Sequence, residues 1–238
     1  MAVEKGTCTL LIFCITTILH TGVRGYWDRY RYRAAGGHVL LPCADMCISD
    51  CHNTVWTYSN SQGQKYEVMT FGKVRTDNTK RAERMSPDFC CRLNIVNVTA
   101  EDAGEYYCGP GAGEVYLHVL EISEPPSISN NGTDGDVTLS CILHTHEGCE
   151  KVSSTNRIHL SWIDEEASTL QENADHQIQN ISTCHTTLKE SHLHQREKTW
   201  RCQLTTRWHN ITATYTKFDP TGGLELMTES DKMGKTRK

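Results

Sequence analysis

The sequence predicts an all-β protein, two tandem β-sandwiches behind a cleaved leader. Three observations carry this. The chain opens on a short apolar run flanked by a charged start and small residues. A pattern of cysteine and tryptophan then occurs twice in the same order. The segments around those markers alternate apolar and polar residues with the two-residue period of half-buried strands.

The leader is "MAVEKGTCTLLIFCITTILHTGVRG". Glu4 and Lys5 precede an apolar run from Leu10 to Leu19, and Val23 and Gly25 suit cleavage after Gly25. The run is shorter than the ~20 apolar residues that cross a bilayer, so residues 1–25 read as a secretory signal peptide. Cys8 and Cys14 leave with it. The 213 residues that follow hold ten cysteines: Cys43, Cys47, Cys51, Cys90, Cys91, Cys108, Cys141, Cys149, Cys184 and Cys202. An even, dense set in a secreted chain reads as disulfides. Zinc is the rival, through Cys47, Cys51 and His52 or through His144, His146 and Cys149. An oxidising compartment and the lack of paired C-x2-C knuckles weigh against it, so no metal is expected. Losing Glu4, Lys5 and Arg24 takes the net charge from −5 to −6, which argues against a nucleic-acid partner. A length of 213 residues suits two domains of about 100.

The repeat follows from the spacings. From Cys43, Cys51 lies eight residues on and Trp56 thirteen, and Cys91 and Cys108 are seventeen apart. From Cys141, Cys149 lies eight on and Trp162 twenty-one, and Cys184 and Cys202 are eighteen apart. "HVLLPCA" turns Val39, Leu41 and Cys43 to one face, and "VTLSCIL" does the same with Val137, Leu139 and Cys141. "EDAGEYYC" carries Asp102, Gly104, Tyr106 and Cys108.

This D-x-G-x-Y-x-C string, with the Cys…Trp…Cys order, resembles the immunoglobulin superfamily, its first half the variable type. The resemblance implies inter-sheet bridges Cys43–Cys108 and Cys141–Cys202 with Trp56 and Trp162 packed on them. It also implies a tyrosine corner at Tyr106 and a structural pair between Arg84 and Asp102. The second half departs. "KTWRCQL" puts Trp200 where the tyrosine would stand and no D-x-G precedes it, so it resembles a constant type. The expected domains are 26–122 and 123–218, joined through "EISEPPSISNNG", where Pro125 and Pro126 favour an extended path, with a polar tail over 219–238. As a whole the chain is similar to two-domain immunoglobulin-like surface receptors of fish and, more loosely, to butyrophilin-like receptors.

Within that frame the repeat assigns the extra cysteines. Cys51 and Cys149 fall in the connection between strands B and C. Cys91 and Cys184 fall in strand E, inward by parity with Leu93 and Ile95, and with Thr186 and Leu188. One staple, Cys51–Cys91 and Cys149–Cys184, is therefore expected in both halves. Cys47 and Cys90 have no counterparts in the second half, and Cys90 faces away from Cys91. A third bridge between them is preferred over a covalent dimer through one of them, and swapped pairings such as Cys51–Cys90 stay open.

No catalytic constellation is visible. His185, His192 and His194, and the acidic run Asp164, Glu165 and Glu166, read as solvated surface. Sequons at Asn97, Asn131, Asn180 and Asn210 predict a glycoprotein. Contact with a protein ligand or counter-receptor is expected on the C–C′–F–G face, with Tyr66, Val68, Phe71 and Tyr107 as candidate anchors. The short "GPGAGE" connection argues against recognition by a long third loop. No apolar stretch of about 20 residues follows the second half, so no membrane span is expected. The expected function is extracellular, immune-type recognition of a protein partner, with no cofactor and no catalysis. The alternative is a homophilic adhesion or structural glycoprotein, a homodimer, or a soluble form of a membrane receptor.

Overall fold

The computed structural model describes residues 29–43, 47, 50–76, 79–109, 112–125, 136–191 and 197–218. The signal peptide, Pro126, Asn131, His192, His194 and the 219–238 tail lie outside them. The protein is mostly β-strand in antiparallel sheets. It divides into two compact units, one of residues 1–119 with 144–148, the other of 120–143 with 149–238.

The first unit has two sheets. One runs β5 (Lys73–Val74), β4 (Lys65–Thr70), β3 (Trp56–Ser59), β8 (Gly104–Tyr107) and β9 (Val115–Ser123, of which the residues to Val119 belong to this unit), with β1 (Tyr30–Ala34) paired to β9. The other runs β2 (Val39–Leu41), β7 (Leu93–Ile95), β6 (Met85–Pro87). The alternation read from the sequence sets what fills the unit: Val39, Leu41, Trp56, Tyr58, Leu93, Ile95, Tyr106 and Leu117 are all buried in one cluster. Burying a side chain of this size is worth roughly 1.5–3 kcal/mol. Gly104 is required where β8 crosses β3, since a Cβ there would stand 2.2 Å from Tyr58 Cε2 and 2.7 Å from the Ser59 carbonyl.

The second unit pairs β12 (His176–Ser182), β13 (His185–Glu190) and β10 (Val137–His144) in one sheet, with β9 on the other edge of β10. Its second sheet is β11 (His159–Ile163), β14 (Glu197–Thr205) and β15 (Asn210–Phe218). Val137, Leu139, Cys141 and Leu143 are buried on β10, beside Leu188 of the same sheet, and Trp162, Cys202 and Leu204 are buried on the second sheet. Trp162 stands directly across from Cys202 in the β11–β14 ladder.

Five disulfides cross these units: Cys43–Cys108, Cys47–Cys90, Cys51–Cys91, Cys141–Cys202 and Cys149–Cys184. Cys51–Cys91 and Cys149–Cys184 are the staples expected from the repeat, Cys43–Cys108 and Cys141–Cys202 are those the resemblance implies, and Cys47–Cys90 is the third bridge preferred for the remaining two. All ten cysteines after residue 25 are paired in these bridges.

Two local expectations are corrected. Cys90 and Cys91 lie in a turn before β7, not in a strand, and Cys91 has φ +61°. A left-handed residue breaks the strand alternation, so both side chains are buried and both reach the 47–51 loop rather than opposite faces. Cys184 likewise sits in the β12–β13 turn. The connections carrying the partner cysteines are helical: a 3-10 turn over Cys51–Asn53 and an α-helix over Cys149–Asn156. The helix packs Val152 and Asn156 inward, one turn apart.

Candidate interaction surfaces

The Asp102 site is a buried polar cluster of the first unit. The Asp102 carboxylate is fully buried and accepts from Arg84 Nη1 at 2.5 Å and Arg84 Nη2 at 2.9 Å, and from the Thr99 backbone N–H at 2.8 Å. Bonding to Asp102 raises the Arg84 pKa above its ordinary value. The Tyr106 hydroxyl donates to the Asp102 carbonyl at 2.8 Å, and burial raises its pKa well above the usual phenol value. The Trp56 indole N–H donates to the Cys91 carbonyl at 2.9 Å, tying the core tryptophan to the second staple. These groups are inward and mutually satisfied, so their role is structural.

In the second unit Trp200 takes a comparable place by different chemistry. Its indole N–H donates to Glu190 Oε2 at 2.6 Å, Lys198 pairs with the other carboxylate oxygen, and His176 Nε2 lies 3.6 Å from it. The sequence marks the missing tyrosine but not this partner, because Glu190 is ten residues away on another strand.

The surface candidates do not form one patch. Cross-strand neighbours share a face, and β3 pairs Tyr58 with Tyr66 and Thr57 with Glu67 and Tyr107. Tyr58 is buried, so Tyr66 belongs to the inner side, its ring 6.3 Å from that of Tyr58. Both line a cleft of about 770 Å³ with Val68, Arg75, Arg81 and Met85. The Arg81 guanidinium lies 4.1 Å over the Tyr58 ring. Val68 is only 7% exposed and belongs to the core, so it is no surface anchor: the β4 register turns it inward with Met69 beside the bulge at Trp56. Tyr107 lies on the opposite, outer face with Thr57, Ser59, Lys65, Glu105 and Glu114 around a shallow hollow of about 270 Å³.

Phe71 is the fourth candidate. It is 70% exposed in the β4–β5 turn, with φ +52°. A bulky residue in that region is uncommon. Gly72 beside it packs on Cys51, which leaves room for no larger side chain: a Cβ there would lie 3.2 Å from Cys51 Cβ. Phe89, 79% exposed in the turn that carries Cys90 and Cys91, was not singled out from sequence.

Of the sequons, Asn97 follows β7 with φ +49°, Asn180 lies within β12, and Asn210 opens β15; all three are exposed. His185 sits 3.4 Å from the Ser140 hydroxyl, and Asp164 accepts from the Ser168 backbone N–H at 2.8 Å. Among the described residues no helix is long and apolar enough to cross a membrane. No protein-family model matches the chain, and no curated protein matches it.

Proposed function

We propose that the chain is an extracellular, immune-type recognition glycoprotein of the immunoglobulin superfamily, a variable-type domain followed by a constant-type domain, that binds a protein partner and performs no catalysis. The strand order carries this reading. A sheet β5-β4-β3-β8-β9-β1 against β2-β7-β6, with a Cys43–Cys108 bridge and buried Trp56, suits the variable type. A β12-β13-β10 sheet against β11-β14-β15, bridged Cys141–Cys202, suits the constant type. Five disulfides fit a chain folded in an oxidising, secretory compartment.

The outer face around Tyr107 is the proposed contact. Aromatic anchors beside mixed charge, here Lys65 against Glu105 and Glu114, suit a protein surface. The test is a multivalent soluble form of residues 26–238 applied to a panel of cells. Binding should fall at least about tenfold with Y107A or E105R, a hot-spot loss of about 1.4 kcal/mol or more, and should persist with Y66A. Binding to no cell surface, or loss with Y66A alone, would overturn the assignment.

A further inference from the structure

The three described sequons differ in what stands two residues before the asparagine. Before Asn97 it is Ile95, fully buried in β7; before Asn180 it is Ile178, on β12. Before Asn210 it is Trp208, 50% exposed. The order Trp208-His209-Asn210-Ile211-Thr212 thus joins an aromatic to a sequon at the mouth of the β14–β15 hairpin.

That hairpin is held in one shape. Thr205 and Asn210 close the ladder as cross-strand partners. Across the four residues between them, the Thr206 N–H donates to the His209 carbonyl at 2.8 Å. The Thr206 hydroxyl oxygen accepts from the Trp208 N–H at 3.1 Å and from the His209 N–H at 2.8 Å. The Arg207 guanidinium lies 4.8 Å from the centre of the indole ring. On β15, Asn210, Thr212, Thr214 and Thr216 share the exposed face, while Ala213 is buried. The asparagine amide therefore projects from a rigid turn on the solvent side, with an indole two residues before it.

We propose that Asn210 is a structural glycosylation site, at which the first N-acetylglucosamine stacks on the Trp208 indole and stabilises the second unit. An N-acetylglucosamine presents a face of axial C–H groups and an acetyl methyl. An aromatic ring with its negatively charged face attracts such polarised C–H groups and removes apolar area from water. The turn that carries the ring is fixed by hydrogen bonds before the sugar arrives, which lowers the ordering entropy that opposes the contact. It also explains a half-exposed tryptophan in a hairpin turn, a residue type more often found buried. Asn97 and Asn180 have no aromatic at that position, so their sugars shield surface without adding stability.

The inference rests on the secretory reading of the chain, and the experiment separates the two. The full chain is secreted from animal cells that make only high-mannose glycans, these are trimmed to one N-acetylglucosamine, and site occupancy is read by peptide mass spectrometry. Melting is then measured for the natural sequence, N210Q, W208A and the double variant. N210Q should lower the melting temperature of the second unit by about 4 °C, the scale expected when one such contact is lost from a domain of about 100 residues. In the W208A background the same change should cost under ~1 °C. W208F should keep most of the effect, and the acetyl methyl protons at Asn210 should show an upfield ring-current shift that W208A abolishes. Glycan at Asn97 and Asn180 with none at Asn210 overturns the inference. So does an equal effect of N210Q with and without the indole. Failure of secretion, or no glycan at any sequon, instead overturns the secretory reading on which it stands.

Discussion

Acid should loosen the first unit through one buried histidine. His118 of β9 is fully buried, and neither ring nitrogen has a hydrogen-bond partner among the described residues. From β1, the Tyr30 ring stacks on it at 5.7 Å and the Tyr32 ring lies tilted against it at 4.8 Å; His146 adds like charge when protonated. Burial, and then His146, lower the His118 pKa from 6.5 to about 3. The fold therefore holds imidazole neutral at pH values where the unfolded chain protonates it. The unfolded state binds more protons between these two values, so stability falls as pH drops below about 6.5 and the loss is complete near pH 3. At about 1.36 kcal/mol per pKa unit, the full effect is about 5 kcal/mol, and the part lost between pH 7 and pH 5 is about 2 kcal/mol. The perturbation is H118F, which keeps an aromatic ring and removes the ionisation. The assay is the urea midpoint at pH 7, 6 and 5, followed by hydrogen exchange in peptides from β1 and β9. The natural sequence should lose about 2 kcal/mol over that span, and H118F most of that loss's pH dependence. An equal loss in both proteins would refute the reasoning.

Two further outcomes follow from the polar cluster and the staples. R84A leaves the Asp102 carboxylate buried without its bidentate partner, and the unit should lose about 3–5 kcal/mol in equilibrium unfolding; a change below about 1 kcal/mol would mean that Arg81, 3.5 Å away, replaces it. Removing Cys149 and Cys184 together opens a loop of 35 residues. Chain entropy then predicts a loss of about 3–4 kcal/mol confined to the second unit, read by tryptophan fluorescence from Trp200 and Trp208, while the first unit melts as before.

Much of this architecture was legible in advance because the cysteines recur at nearly fixed spacing in both halves, with a tryptophan between them, and β-alternation has a short period. Val39, Leu41, Val137 and Leu139 declared their faces from local pattern alone. What was hidden depended on single backbone angles or on partners far along the chain. The φ of Cys91 decides where two neighbouring cysteines point, and nothing in "DFCCRLNI" announces a left-handed residue. The helix at Cys149–Asn156 was missed because its Ser, Thr and Asn residues favour turns, and only the buried pair Val152 and Asn156 marks its period. The face of Tyr66 depends on its pairing with buried Tyr58 across the β3–β4 ladder, which local pattern does not announce, and the bulge between Trp56 and Thr57 turns both Val68 and Met69 inward, which alternation does not foresee. Trp208 stands outside the cysteine–tryptophan repeat, so no spacing marks it.

The Cys43–Cys108 and Cys141–Cys202 bridges have a mechanical consequence. Each encloses a stretch of 65 or 61 residues, and every other staple lies inside one of those stretches. A tension applied through the two ends of the chain passes across the sulfur bridges and bypasses the enclosed strands. About 220 Å and 200 Å of contour length, at roughly 3.4 Å per residue, therefore stay locked when either unit yields. Stretched between two surfaces, the molecule would act as a short tether that gives way by little, lengthening fully only after a reductant has cut those two bonds.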